Sequence, residues 1–127
     1  MGPSESINRA LNTFFGGFGV PAYLEDNIPA GASLPYLTYQ PAIPGGWDES
    51  TTFHARLWYP SGHGRVPILQ TEDKISAALP RGGLTIPCEG GAILLDKDDN
   101  TWAQPLDNPP EGYLCEYLNF ELTRFIP

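Results

Sequence analysis

The end of the chain places the tightest limit on what it can fold into. From Tyr113 almost to Pro127 the residues read as one long strand. In its second half Leu118, Phe120 and Leu122 fall on one face and Asn119, Glu121 and Thr123 on the other, because successive strand side chains point to opposite sides. The first half, Tyr113-Leu114-Cys115-Glu116-Tyr117, is apolar on both faces except at Glu116. Continuous apolar runs are expected where both faces of a sheet are covered. A small sheet has one core side to offer its own helices, so the second apolar face predicts a partner.

The elements before this strand explain where its core side comes from. Ile7, Ala10, Leu11 and Phe14 recur at helical spacing, with Ser4 or Ser6 as candidate caps, Pro3 at the entry and Gly16-Gly17 as the stop. Val20 to Tyr23 reads as a short strand and Glu25 to Ser33 as a loop. Leu34-Pro35-Tyr36-Leu37-Thr38-Tyr39 is an aromatic strand closed by Pro41 and Pro44-Gly45-Gly46, since proline has no N–H for a ladder. From Thr51 the alternation is regular: Phe53, Ala55, Leu57 and Tyr59 face one way, and Thr52, His54, Arg56 and Trp58 the other. A helix follows from about Val66 to Leu79, with Pro67 in its first turn and an apolar stripe of Ile68, Ile75 and Leu79 supported by Leu69 and Ala78. Leu84 to Cys88, Ala92 to Leu95 and the neighbourhood of Trp102 read as short strands. Between them lie an Asp96 to Asn100 turn and a Pro105 to Gly112 loop.

Runs of strands and helices without strict alternation predict an α+β fold, a mainly antiparallel β-sheet with two helices packed on one face. Leu118, Phe120 and Leu122 are its expected core, against Ile75 and Leu79. At 127 residues and 41% apolar content the chain has material for one domain, spanning 1–127. Fourteen Gly and fourteen Pro are offset by three Trp, six Tyr and six Phe, so these residues punctuate packed elements instead of marking disorder.

Charge and cysteine usage narrow the function. A formal net charge of −8, with seven Lys and Arg, argues against gripping nucleic acid. No run of about eighteen apolar residues offers a membrane span, and no signal-peptide pattern opens the chain, so a soluble protein used in a cytoplasm-like setting is expected. In that setting Cys88 and Cys115 are expected to be free, buried thiols.

No candidate site for chemistry stands out. Asp96-Lys97-Asp98-Asp99-Asn100 with Asp107 echoes a calcium loop. Thr101 replaces the needed glycine, however, Pro105 interrupts the loop, and an acidic hairpin turn is the simpler reading. His54 lies on a strand's outward face and His63 in a glycine-flanked turn, neither beside an evident nucleophile. Gly16-Gly17-Phe18-Gly19 lacks the lysine of a phosphate loop, and the proline pair Pro41 and Pro44 reads as a strand end instead of a docking peptide. Fifteen carboxylates leave a glycosidase-like pair open by count alone, and Glu116 is read as one half of an interface salt bridge. No catalytic residue, cofactor or metal ligand is assigned, and a non-enzymatic protein is expected.

In the order of its elements the chain resembles the tail terminator and minor capsid (neck) proteins of long-tailed bacteriophages. The N-terminal helix, the Leu34–Tyr39 strand, the Phe53–Tyr59 strand, the Ile68–Leu79 helix and the long last strand carry the resemblance, which covers most of the chain. It implies a structural virion protein at the neck, assembled in the host cytoplasm. It further implies a homo-oligomeric ring of six that caps the tail tube protein and joins it to the head-completion protein. DNA would pass through the lumen without specific binding, and six copies at −8 give such a ring a charge of −48 (six times −8). Candidate interface residues are Trp47, Trp58, Trp102, Tyr113, Cys115 and Tyr117, with the Pro41–Asp48 and Trp102–Pro110 loops as contact segments. Another head–tail connector, a small carbohydrate-binding module using coplanar tryptophans, and a small hydrolase remain as alternatives.

Overall fold

The computed structural model describes residues 2–43 and 45–127. Pro44, expected to help end the second strand, lies outside the described residues. Helix α1 (Pro3–Phe15) is followed by strands β1 (Ala22–Leu24), β2 (Tyr36–Tyr39) and β3 (Ser50–Pro60), then helix α2 (Val66–Ala78). Strands β4 (Leu84–Cys88), β5 (Gly91–Lys97), β6 (Ala103–Pro105) and β7 (Tyr113–Phe125) complete the chain. They form one sheet in the order β1-β2-β3-β7-β5-β4. β1 and β2 run parallel, and every other pairing is antiparallel. The fold is α+β, as the element order predicts.

β7 is the spine of this sheet. One edge pairs with β3 from Pro60↔Tyr113 to Ser50↔Thr123. The other edge is shared: β5 takes Phe120 to Phe125 and β6 takes Glu116 to Leu118. The chain leaves the sheet between β5 and β6 and rejoins it across one residue, since Asp98 donates its N–H to the Asn119 carbonyl and Asn119 donates to the Trp102 carbonyl. The expected Asp96–Asn100 turn is shorter than the sequence suggests, because Asp96 and Lys97 end β5 and pair with β7; Asp98–Asn100 is an excursion from a single edge, with Asp98 Oδ1 accepting from the Asn100 N–H at 3.1 Å. This is the local self-bonding that short acidic and amide side chains give a turn. Among the described residues no three His, Cys, Asp or Glu side chains gather where a metal ion could sit. A chelator is expected to leave the melting temperature unchanged, and a calcium-dependent rise in that temperature would contradict the turn assignment.

Helix α1 touches both β1 and β4, the two outer strands of the order. The sheet must therefore curl around the helix. Ile7, Leu11 and Phe15 form the buried stripe of α1, at spacings of four residues. Phe15, and not its neighbour Phe14, reaches the centre of the curl, with its ring 5.1 Å from Tyr39 and 5.3 Å from Phe120. Phe14 packs at the rim against Phe15 and Phe18. The expected serine caps are absent: Gly2 is the N-cap and makes no side-chain cap bond. Ser6 is instead buried within the helix, where its hydroxyl accepts the Glu89 N–H at 2.9 Å. Asn8 anchors the exit from β2 by pairing its side-chain amide with the Ala42 backbone, donating at 2.8 Å and accepting at 2.9 Å.

Helix α2 covers the sheet beside α1, against β3 and β7. Ile68, Ile75 and Leu79 are buried as expected, but Leu69 is exposed, and Thr71 takes the fourth buried position. A hydroxyl is tolerated there because Tyr59 OH and Thr71 Oγ1 hydrogen-bond to each other. Glu72, on the same helix, has its carboxyl pushed above the usual value of 4.5, first by burial and then by the Glu116 and Asp73 charges. An acid raised in the folded state holds its proton more tightly there than in the unfolded chain. Its ionised form therefore costs stability above the ordinary value. Glu72→Gln should raise the melting temperature at pH 7, and the gain should disappear below about pH 4; melts at the two pH values check both statements.

Candidate interface on the open face of the sheet

The pairing register sorts every strand residue onto one of two faces. Leu37, Tyr39, Phe53, Ala55, Leu57, Tyr59, Ile93, Leu95, Leu118, Phe120 and Leu122 share the helix side and form one buried cluster with the α1 and α2 stripes. Cys115 and Ala92 are equally buried but stand outside that cluster, on the other face. That second face carries no buried helix stripe, and the strands there present Tyr23, Tyr36, Thr38, His54, Arg56, Trp58, Tyr113, Cys115 and Tyr117.

These side chains cover one another. The Tyr23 and Tyr36 rings meet edge to face at 5.9 Å, as do Trp58 and Tyr113. Trp58 donates its indole N–H to Thr38 Oγ1 at 3.0 Å, which fixes the ring and satisfies a buried hydroxyl. The Arg56 guanidinium lies 4.9 Å over the Tyr117 ring, and His54 meets the same ring edge-on at 5.4 Å. Cys115 sits beneath this layer; burial pushes its thiol up to about 12, against the pull of the Arg56 charge. A thiol so disposed is protonated at neutral pH and is no nucleophile. Burial also raises the Tyr36 hydroxyl, with Tyr113, Cys115 and Tyr23 as neighbours. The result is an aromatic layer of half-buried rings over small buried groups.

Of the six candidate interface residues, Trp58, Tyr113, Cys115 and Tyr117 come together on this face. The other two do not. Trp102 belongs to the helix side, where its ring meets Phe120 edge-on at 5.1 Å and Lys97 lies over it at 5.4 Å. Trp47 packs at the opposite end of β7 from Trp58, under the Arg124 guanidinium at 3.7 Å and against Gly91. Only glycine fits at Gly91, since a Cβ there would stand 2.5 Å from the Phe125 carbonyl oxygen and 3.1 Å from the Trp47 ring. The three tryptophans therefore share no plane, and a stacked sugar platform built from them does not exist in this fold.

Glu116 is the other correction. It faces the helices, not the open face, and is 4% exposed. Its partner is Arg65, at the entry to α2, whose Nη1 donates to Oε1 at 2.8 Å. The expected interface salt bridge is internal to the fold.

Strand alternation places His54 and Arg56 on the outward side of β3 and by itself assigns them no role. Their grouping with Tyr23 and Tyr36 depends on β1 and β2 docking beside β3, which strand alternation alone does not specify. His54 Nε2 lies 3.4 Å from Glu25 Oε2, half of a nucleophile–base arrangement. The imidazole's other close neighbour is the Tyr117 ring, and no serine, threonine or cysteine donates to it among the described residues. Both cysteines are free; Cys88 lies on β4 and Cys115 on β7, with β5 between them.

The molecule is thus an α+β domain whose curled sheet has one face sealed by its own helices and a second face of packed aromatics. No family model and no curated protein matches the sequence. A solved structure with the same fold aligns over 97% of this chain and 94% of its own, with a TM-score of 0.66 at 14% identity. At that identity the likeness shows the fold alone. Among the described residues no helix is long and apolar enough to cross a membrane.

Proposed function

We propose that this chain is a structural ring subunit of a bacteriophage neck, a tail terminator that caps the tail tube and joins it to the head-completion protein. One observation carries the proposal: the open face gathers Tyr23, Tyr36, Trp58, Tyr113 and Tyr117 into a single aromatic layer on a strand order that its own helices cover from the other side only. Aromatic and arginine side chains are the residues that anchor protein–protein contacts. A contact that joins one patch to a different patch closes into a ring when the rotation per subunit divides a full turn. The net charge of −8 suits a conduit through which DNA passes without being held. Another neck component would use the same face, and the assembly defect separates the two. Omitting a terminator from a phage assembly reaction gives tails of uncontrolled length, whereas omitting a head-completion protein gives tails of normal length that fail to join heads. Joined, normal tails in its absence would end the neck reading. Native mass of the purified protein is the first measurement, and a hexamer is the expected result.

A further inference from the structure

We propose that Pro87 and Pro105 guard the free edges of the sheet: they keep another copy of this chain from adding a strand there. Copies then meet through faces and loops instead. This goes beyond the ring reading and does not depend on it. The sheet does not close on itself, since β1 and β4 are its outer strands and β6 pairs with β7 alone. An edge strand presents a row of unpaired N–H and C=O groups, which is a template for another strand. The β4–β5 hairpin needs protection most. From Leu84 to Leu95 its one charged residue is Glu89, and Ile86, Ile93, Leu94 and Leu95 are strongly apolar. Apolar, strand-forming segments with little charge are the ones that pair between chains.

The register decides which backbone groups point outward. In the β4–β5 hairpin the two-residue turn Glu89-Gly90 is closed by the pair Cys88↔Gly91, which is the hydrogen-bonded kind in such a turn. Bonded and non-bonded pairs alternate along an antiparallel ladder. Leu84 and Ile86 therefore also bond to β5, while Thr85 and Pro87, both exposed, turn their backbone groups to the free edge. Pro87 has no N–H, so Thr85 carries the one outward donor of β4.

β6 repeats the arrangement. Asn119 donates to the Trp102 carbonyl and Leu106 to the Cys115 carbonyl, so Gln104 faces β7 while Ala103 and the exposed Pro105 face outward. Ala103 is left as the one outward donor of that strand. The third edge, β1, is closed by hydrogen bonds. Ala22 and Leu24 face away from β2 there, and their carbonyls accept from Asn12 Nδ2 at 3.4 Å and the Asn27 N–H at 2.9 Å. A proline at Ile86 or Gln104 would break a ladder bond, whereas at 87 and 105 it breaks none and removes an outward donor. Strand addition at an edge propagates from copy to copy, while a ring must stop growing when its rotation closes. Blunted edges suit the second kind of assembly.

The test is sedimentation of the intact protein, comparing the parent with Pro87→Thr, Pro105→Thr and the double variant. Threonine restores the N–H and favours a strand. The double variant should lose most of the parental boundary to faster, heterogeneous material that raises thioflavin fluorescence, while dilute samples keep the parental circular dichroism. Thr85→Lys added to Pro87→Thr sets a charge on the same edge and should restore the parental boundary. A double variant that sediments like the parent overturns the proposal, because the prolines would then be merely tolerated at edge positions. If Pro87→Thr aggregates and Thr85→Lys does not reverse it, the cause is misfolding instead of edge pairing, and the proposal also falls. The parent's own mass tests the ring reading separately.

Discussion

Phe120→Ala is expected to destabilise the domain by about 3–5 kcal/mol, lowering its melting temperature by roughly 10–20 °C for a chain of this size. The reason is the position of the ring. Phe120 is fully buried and stacks on Phe53 at 5.2 Å, while Phe15 and Trp102 meet it edge-on at 5.3 and 5.1 Å. It therefore joins β3 and β7, the tip of α1 and the loop that leads into β6. Truncation leaves a cavity walled by three rings held on three different elements, and such a wall collapses poorly. The lost aromatic pairs add to the lost transfer energy. A native stability of about 5–15 kcal/mol leaves little margin for that loss. Phe53→Leu, which keeps most of the volume, should cost far less. Thermal melts of the two variants check the ordering, and a Phe120→Ala melt within a degree or two of the parent would overturn this account of the core.

The alternation along β3 and β7 made their inward faces readable from the sequence, because a period of two leaves no ambiguity about which residues travel together. Phe53, Ala55, Leu57 and Tyr59 are buried as a set, and so are Leu118, Phe120 and Leu122. The helix stripes were less legible. Along α1, Ile7 and Leu11 can be continued by Phe14 or by Phe15 at helical spacing. The choice falls to the sheet, whose curl brings β1 and β4 to either side of the helix and directs Phe15 inward. Ser6 and Thr71 show the same limit from the polar side. Each is buried because of a hydrogen bond to a residue distant in sequence, Glu89 in one case and Tyr59 in the other. The two-sided character of Tyr113 to Tyr117 pointed to a second apolar face; in the structure that face is aromatic but mixed, since Thr38, His54 and Arg56 share it with Trp58, Tyr113, Cys115 and Tyr117. Which tryptophans lie on it depended on register: Trp58 is on a strand that faces it, whereas Trp102 follows the excursion after β5 and returns on the helix side.

Glu116 was the residue most open to misreading, and Arg65→Ala tests its corrected role. A lone carboxylate amid apolar neighbours on the last strand suggests an intersubunit ion pair as readily as an internal one. Its partner lies 51 residues away, before α2, where no local pattern could identify it. Removing Arg65 would leave a carboxylate 4% exposed on the helix side of the sheet, close enough to Glu72 on α2 for the two carboxylates to disfavour each other's charge. Breaking a buried pair by deleting one partner costs about 3–5 kcal/mol. Because Arg65 is itself 45% exposed, water can reach part of the vacated position, which places the expected loss at the lower end of that range. The pair need not be a net stabiliser for this to hold, since desolvation of two charges offsets much of their attraction. Adding Glu116→Met to Arg65→Ala should therefore recover most of the lost stability by removing the orphaned charge and filling its volume. A double-mutant cycle in chemical denaturation measures the coupling. If Arg65→Ala unfolds at the parental midpoint, or if Glu116→Met deepens its defect, the ion pair does not hold α2 to β7 in the way its 2.8 Å geometry implies.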